Sequence, residues 1–181
     1  MPRFVALFRG INVGNAKRIA MADLRALLES LGYREVQTLL NSGNAVFEGA
    51  AGSDAKHAQR IHDAVLGKLK IDALVVVKSA KDIAAVIAGN KLGKVATNPS
   101  LLLVAMTNDP KGWKVLESIA NDQSEPDVVL LGRHALYAWC PNGTLKSSAG
   151  VALLENLADS GTTRNWATLE KIHAMLQGAT G

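Results

Sequence analysis

The sequence predicts an α+β protein of two small ferredoxin-like units, each with the order β-α-β-β-α-β, the second less regular than the first. Three observations carry this. Short apolar runs alternate with helical patterns in that order over residues 1–79. From Leu101 the order β-α-β-β-α returns, with a last strand near Thr162, although no residue-level repeat accompanies it. The composition, 48% hydrophobic and 20% charged over 181 residues, is that of packed globular units. The expected division is 1–79 and 80–181.

Arg3–Arg9 reads as a buried strand ended by glycine. After the Gly10–Lys17 loop, Met21, Leu24, Leu27, Leu28 and Leu31 mark one apolar helix face, with Gly32 as its stop. Glu35–Leu40 and Ala45–Glu48 form a hairpin around Asn41-Ser42-Gly43-Asn44. Ser53 caps a helix over Asp54–Leu69, and Ala73–Lys78 is a β-branched strand. In the second half Ser79 precedes a helix at Lys81–Ala88, and Leu101–Met106 is a strand. Asp109-Pro110 opens a helix to about Ala120 as N-cap and first-turn proline. Asp127–Leu131 and Ala135–Trp139 pair around Gly132-Arg133-His134. Helices follow at Ser148–Leu157 and Trp166–Gln177, with Ser147, Ser148 and Asn165 as cap candidates.

With aromatics at 4%, aliphatic residues supply most of the core. One cysteine, Cys140, excludes an internal disulfide framework and a cysteine-based zinc site; it reads as a buried, inert thiol. No leader pattern is read at the N-terminus, and no apolar run approaches the roughly 18 residues of a membrane span, so the expectation is cytoplasmic, with no membrane partner. The four histidines and the acidic residues show no metal-ligand spacing. The net charge of +4 lies in the first half: residues 1–79 carry 11 basic and 7 acidic groups, residues 80–181 carry 9 of each.

The chemistry-bearing stretches are turns. Gly10-Ile11-Asn12-Val13-Gly14 has its glycines four apart and no following Gly-Lys-Ser/Thr, so it is neither a dinucleotide fingerprint nor a P-loop. It reads as an anion-binding turn with Arg9, Lys17 or Arg18, or as a plain turn with positive φ in which Asn12 bonds the backbone. Ser42, Gly43 and Asn44 read as a hairpin turn first; Ser42 as a nucleophile would need a base brought close in space, with Lys17 the nearest conceivable one. Arg164-Asn165-Trp166 places a guanidinium, an amide and an indole at a helix start. Asn165 explains itself as a cap; Arg164 could grip a phosphate or carboxylate.

These residues carry a resemblance. Phe8-Arg9-Gly10-Ile11-Asn12-Val13-Gly14 with Lys17, Met21 and Leu24, then Gly32, Val36, Thr38, Ser42-Gly43-Asn44 and Phe47, resemble the N-terminal pattern of the domain-of-unknown-function 1697 family. Asn98-Pro99, Tyr137, Pro141, Gly143, Ser147 and Thr163-Arg164-Asn165-Trp166 with Thr168 are similar to its C-terminal half. The resemblance implies a bacterial α+β protein with ferredoxin-like substructure and brings no established activity. Asn15 stands where a second glycine is usual and Leu39 where an aromatic is usual.

The functional expectation is a cytoplasmic binding protein for an anionic small molecule or nucleotide. Polar turns of both halves would be brought together: Arg9, Gly10, Asn12, Gly14, Lys17, Ser42, Gly43, Asn44, Arg164 and Asn165. The alternatives are a nucleic-acid-binding protein, with Phe4, Phe8 and Phe47 as the first unit's strand aromatics, an enzyme with a site between the halves, and a scaffold whose edge strands pair. No cofactor is named by the sequence.

Overall fold

The computed structural model describes residues 1–122 and 124–178. Contacts divide the chain into two compact units: Met1–Lys81 with the residues from Ile172 onward, and Asp82–Lys171. The last turns of the final helix thus group with the first unit, where the Arg3 guanidinium donates to the Met175 carbonyl at 3.4 Å.

The first unit runs β1 (Arg3–Arg9), α1 (Met21–Ser30), β2 (Arg34–Leu39), β3 (Asn44–Glu48), α2 (Asp54–Ala64) and β4 (Leu74–Ser79). Its sheet order is β2-β3-β1-β4, antiparallel throughout. Alternation along β1 turns Phe4, Ala6 and Phe8 toward one core with Ala45 and Phe47 of β3 and Val75 and Val77 of β4. Leu24, Leu27 and Leu28 of α1 and Ile61 of α2 close it. Each such large side chain contributes about 2 kcal/mol by leaving water.

Tyr33 and His57 add a polar stitch. The Tyr33 hydroxyl lies 2.9 Å from His57 Nδ1, and His57 Nε2 lies 3.2 Å from the Ala50 carbonyl oxygen. The carbonyl can only accept, so Nε2 carries the proton and Tyr33 donates to Nδ1. Arg60 stacks over the Tyr33 ring at 5.4 Å.

Helix α2 does not end where its sequence pattern does. It widens into a π-helical turn over Val65–Leu69 that closes on Lys70 in the left-handed conformation. His62 sits before this turn, 3.0 Å from Asp72 and 3.3 Å from Asp63. The Asp72 hydrogen bond, more than the Asp63 one, raises its pKa above the ordinary 6.5. A raised folded-state pKa stabilises the fold below pH ~6.5 and the benefit fades as pH rises through the folded value. His62→Gln is therefore expected to remove a contribution of about 0.5 kcal/mol at pH 5.5 and nearly nothing at pH 8.5, read by urea unfolding at both pH values.

The second unit contains α3 (Ala80–Gly89) from Asp82 onward, β5 (Leu102–Met106), α4 (Pro110–Asn121), β6 (Val128–Leu131), β7 (Leu136–Trp139), α5 (Ser148–Asn156) and β8 (Thr162–Asn165). Helix α6 (Trp166–Leu176) follows. Its sheet order, β6-β7-β5-β8, is that of the first unit with each strand in the equivalent place. The duplication expected from element order is thus present in topology, and the last strand near Thr162 forms. The Asp109 carboxylate accepts from the Lys111 amide at 2.8 Å and Ser147 Oγ from the Gly150 amide at 3.0 Å, so both capping expectations hold. Leu116 and Ile119 of α4 and Leu153 of α5 pack on Leu103, Ala105, Val129 and Ala138. The Tyr137 hydroxyl donates to the Val86 carbonyl at 2.6 Å, and burial pushes its pKa up to about 12. Among the described residues, no helix is long and apolar enough to cross a membrane.

Candidate functional site

In the first unit the topology decides which turns meet. β1 and β2 run parallel with β3 between them, so both finish at one end of the sheet. Leu7 pairs with Asn44 and Arg9 with Leu74. The Gly10–Lys17 loop and the Asn41–Asn44 turn therefore leave the sheet at the same rim.

Asn12 joins them. Its side-chain amide donates to the Ile19 carbonyl at 2.9 Å and to the Asn41 carbonyl at 2.7 Å. Its Oδ1 accepts from the Ile19 amide at 2.8 Å, and its own backbone amide donates to the Lys17 carbonyl at 3.0 Å. The Phe8 amide adds a bond to the Gly43 carbonyl at 2.9 Å. Between these fixed points Val13 and Ala16 bridge, making a tongue turned by Gly14 and Asn15.

The backbone is left-handed at Gly10, Asn12, Gly14, Lys17, Leu40 and Gly43. Glycine and asparagine take that conformation readily; Lys17 and Leu40 do so at about 1 kcal/mol each. The tongue presents exposed Lys17 and Arg18, and Val13 is 69% exposed. Leu40, beside Asn41, is 51% exposed. Arg9 is half-buried at the base of the loop.

Asn44 is buried, and its amide donates to the Leu39 carbonyl at 2.7 Å, so it closes the hairpin. Ser42 is exposed, and its hydroxyl lies 3.5 Å from the Asn44 amide. Asn12→Ala removes three side-chain bonds and leaves alanine left-handed. A loss of about 3 kcal/mol is expected, whereas Asn12→Gly, relieved of backbone strain, should lose about 2 kcal/mol; thermal unfolding of the two variants separates the terms.

Arg164 and Asn165 stand in the second unit, on β8. Arg164 Nη1 donates to Thr162 Oγ1 at 2.9 Å and to the Thr163 carbonyl at 2.8 Å, and burial pushes its pKa down to about 10. Asn165 caps α6 by accepting from the Thr168 amide at 2.8 Å. Arg164 pairs with Val104 and Asn165 with Leu103, toward the start of β5. The first unit's rim lies at the end of the equivalent strand, β1.

A second polar cluster escaped sequence reading. Asp127 is buried, with its carboxylate at the N-terminus of α5, accepting from Ser147 Oγ at 2.7 Å, the Ala149 amide at 3.2 Å and Ser148 Oγ at 3.3 Å. Cys140 Sγ lies 3.1 Å from Ser147 Oγ. The serine has one proton to donate, and the carboxylate is its stronger acceptor. Burial, more than the nearby Asp127, raises the thiol pKa, which fits the expected inert cysteine. The signal in the sequence was an aspartate directly after proline, twenty residues ahead of a Ser-Ser helix start, too remote for a local capping rule. Among the described residues no group of three histidine, cysteine or acidic side chains could hold a metal.

Two ferredoxin-like units in tandem, with a polar rim on the first, define the class. A family model described as a protein of unknown function, DUF1697, matches residues 1–137, and the chain belongs to that family. No curated protein gives a significant match. The solved structure of a conserved bacterial protein from Streptococcus pneumoniae is similar to 97% of this chain over 98% of its own, with a TM-score of 0.81. At 23% identity it shows the shared fold alone.

Proposed function

We propose that the chain is a binding protein for an anionic ligand, received at the rim of its first unit. The observation that carries this reading is the Asn12 junction, which fixes two turns as one surface while Lys17 and Arg18 stay in solvent. A preordered loop lowers the entropy lost on binding. An exposed glycine turn beside cations suits phosphate or carboxylate oxygens. Arg9 stands at the loop's base, and the contribution of Gly10, Gly14 and Gly43 is backbone shape. The bonds that Arg164 and Asn165 make within their own unit favour a structural role for them there.

The lone, unbridged Cys140 supports the cytoplasmic reading. The enzyme alternative gains little from the rim, where Ser42 meets an amide rather than a base. Isothermal titration with ATP and with inorganic pyrophosphate tests the proposal. Saturable binding is expected, weakened about tenfold or more by Lys17→Gln/Arg18→Gln. Binding that the double variant leaves unchanged overturns the assignment to this rim.

A further inference from the structure

We infer that the anion received at this rim is the backbone of single-stranded nucleic acid, contacted without sequence preference. The inference rests on the anion-binding reading above and names its ligand class. The first consideration is shape. A small ligand holds by burying most of its surface in a pocket. The tongue is the opposite: Val13 through Arg18 all stand exposed, around a turn at Gly14 and Asn15. Two cavities of the first unit lie elsewhere, about 220 Å³ beside Arg3 and Glu48 and about 420 Å³ along β2 at Arg25 and Thr38. An open surface of this kind gains more affinity from a ligand that repeats its charge along its length than from a small anion.

The second consideration is the pairing of charge with apolar surface. Val13 and Leu40 flank the two residues joined by the Asn12–Asn41 bond, and both are exposed, as is Lys17, whose carbonyl accepts from the Asn12 amide. A ligand matched to this alternates anions with accessible apolar faces. Single-stranded nucleic acid does so; a duplex hides its base faces in the stack. Base stacking on sheet aromatics is not the mode, because Phe4, Phe8 and Phe47 are all buried in the first unit's core. Recognition therefore falls to phosphates, with Val13 and Leu40 against bases or sugars, and the affinity is modest and strongly salt-dependent.

Fluorescence anisotropy of a labelled oligothymidylate of about twenty nucleotides tests this with the full chain at ~50 and ~200 mM salt. Binding at the lower salt is expected, several-fold tighter than to a duplex of equal length. Lys17→Gln/Arg18→Gln should weaken it and flatten the log–log salt slope by about 1.4, or about 0.7 per cation lost. Val13→Ser should weaken it with the slope unchanged. Absence of binding at low salt, a preference for the duplex, or a slope unmoved in the double variant overturns the inference. If ATP binds and depends on Lys17 and Arg18 while the oligonucleotide does not, the ligand class falls and the anion-binding rim stands. If neither binds, both fall.

Discussion

Gly43→Ala is expected to destabilise the first unit by about 3 kcal/mol or more. Two causes act together. Gly43 has φ +93°, a conformation that any side chain strains. A Cβ there would also lie 2.5 Å from Ile11 Cδ1 and 2.8 Å from Phe8 Cβ. The isoleucine tip could rotate aside, but Phe8 Cβ is fixed by β1, and both residues are 1% exposed in the core. The turn would have to lift, and with it the bond from the Phe8 amide to the Gly43 carbonyl. Gly14→Ala is the control. Gly14 is also left-handed, at φ +59°, but a methyl group there would meet nothing within 4 Å. A loss of about 1 kcal/mol is expected there. Hydrogen exchange at β1 and β3 amides reads the first unit separately from the second, and equal losses in the two variants would contradict the packing argument.

Asp127→Ala should have the largest effect on the second unit, about 3 kcal/mol. It removes the acceptor of three donors at the start of α5 and leaves the Ala149 amide and the buried Ser147 hydroxyl to find others. It also removes a negative charge from the positive end of the helix. Asp127→Asn keeps the shape and one acceptor oxygen, and about half the loss is expected. Cys140 provides the readout: it is the only cysteine in the chain, it is buried, and it touches Ser147. Thiol labelling under native conditions should accelerate in the order wild type, Asn, Ala. Labelling at one rate in all three would show that the carboxylate does not hold this region closed.

The fold was legible because its signals are local. Strand alternation in Arg3–Arg9, the Ser53, Asp109 and Ser147 caps and the hairpin at Asn41–Asn44 each rest on neighbouring residues. Whether the first two turns share a rim was not legible, because strand register decides it and register joins residues such as Leu7 and Asn44 that are far apart in sequence. The role of Asn12 was half visible: backbone bonding was expected, but its bond to Asn41 reaches twenty-nine positions along the chain. Arg164 reads from sequence as an anion grip because its neighbours are polar; its two bonds within β8, to Thr162 and the Thr163 carbonyl, depend on the folded strand and were not legible. The left-handed Lys17 and Leu40 carried no letter-level signal, since neither residue type favours that conformation.

The most direct test of the proposed rim is a backbone-amide NMR titration of the isotope-labelled chain with pyrophosphate. The amides of Gly10–Arg18 and Asn41–Asn44 are expected to shift together along one saturation curve, with Thr163–Trp166 unmoved. Shifts confined to Thr163–Trp166, or different saturation curves for the two turns, would contradict a single anion-binding surface organised by Asn12.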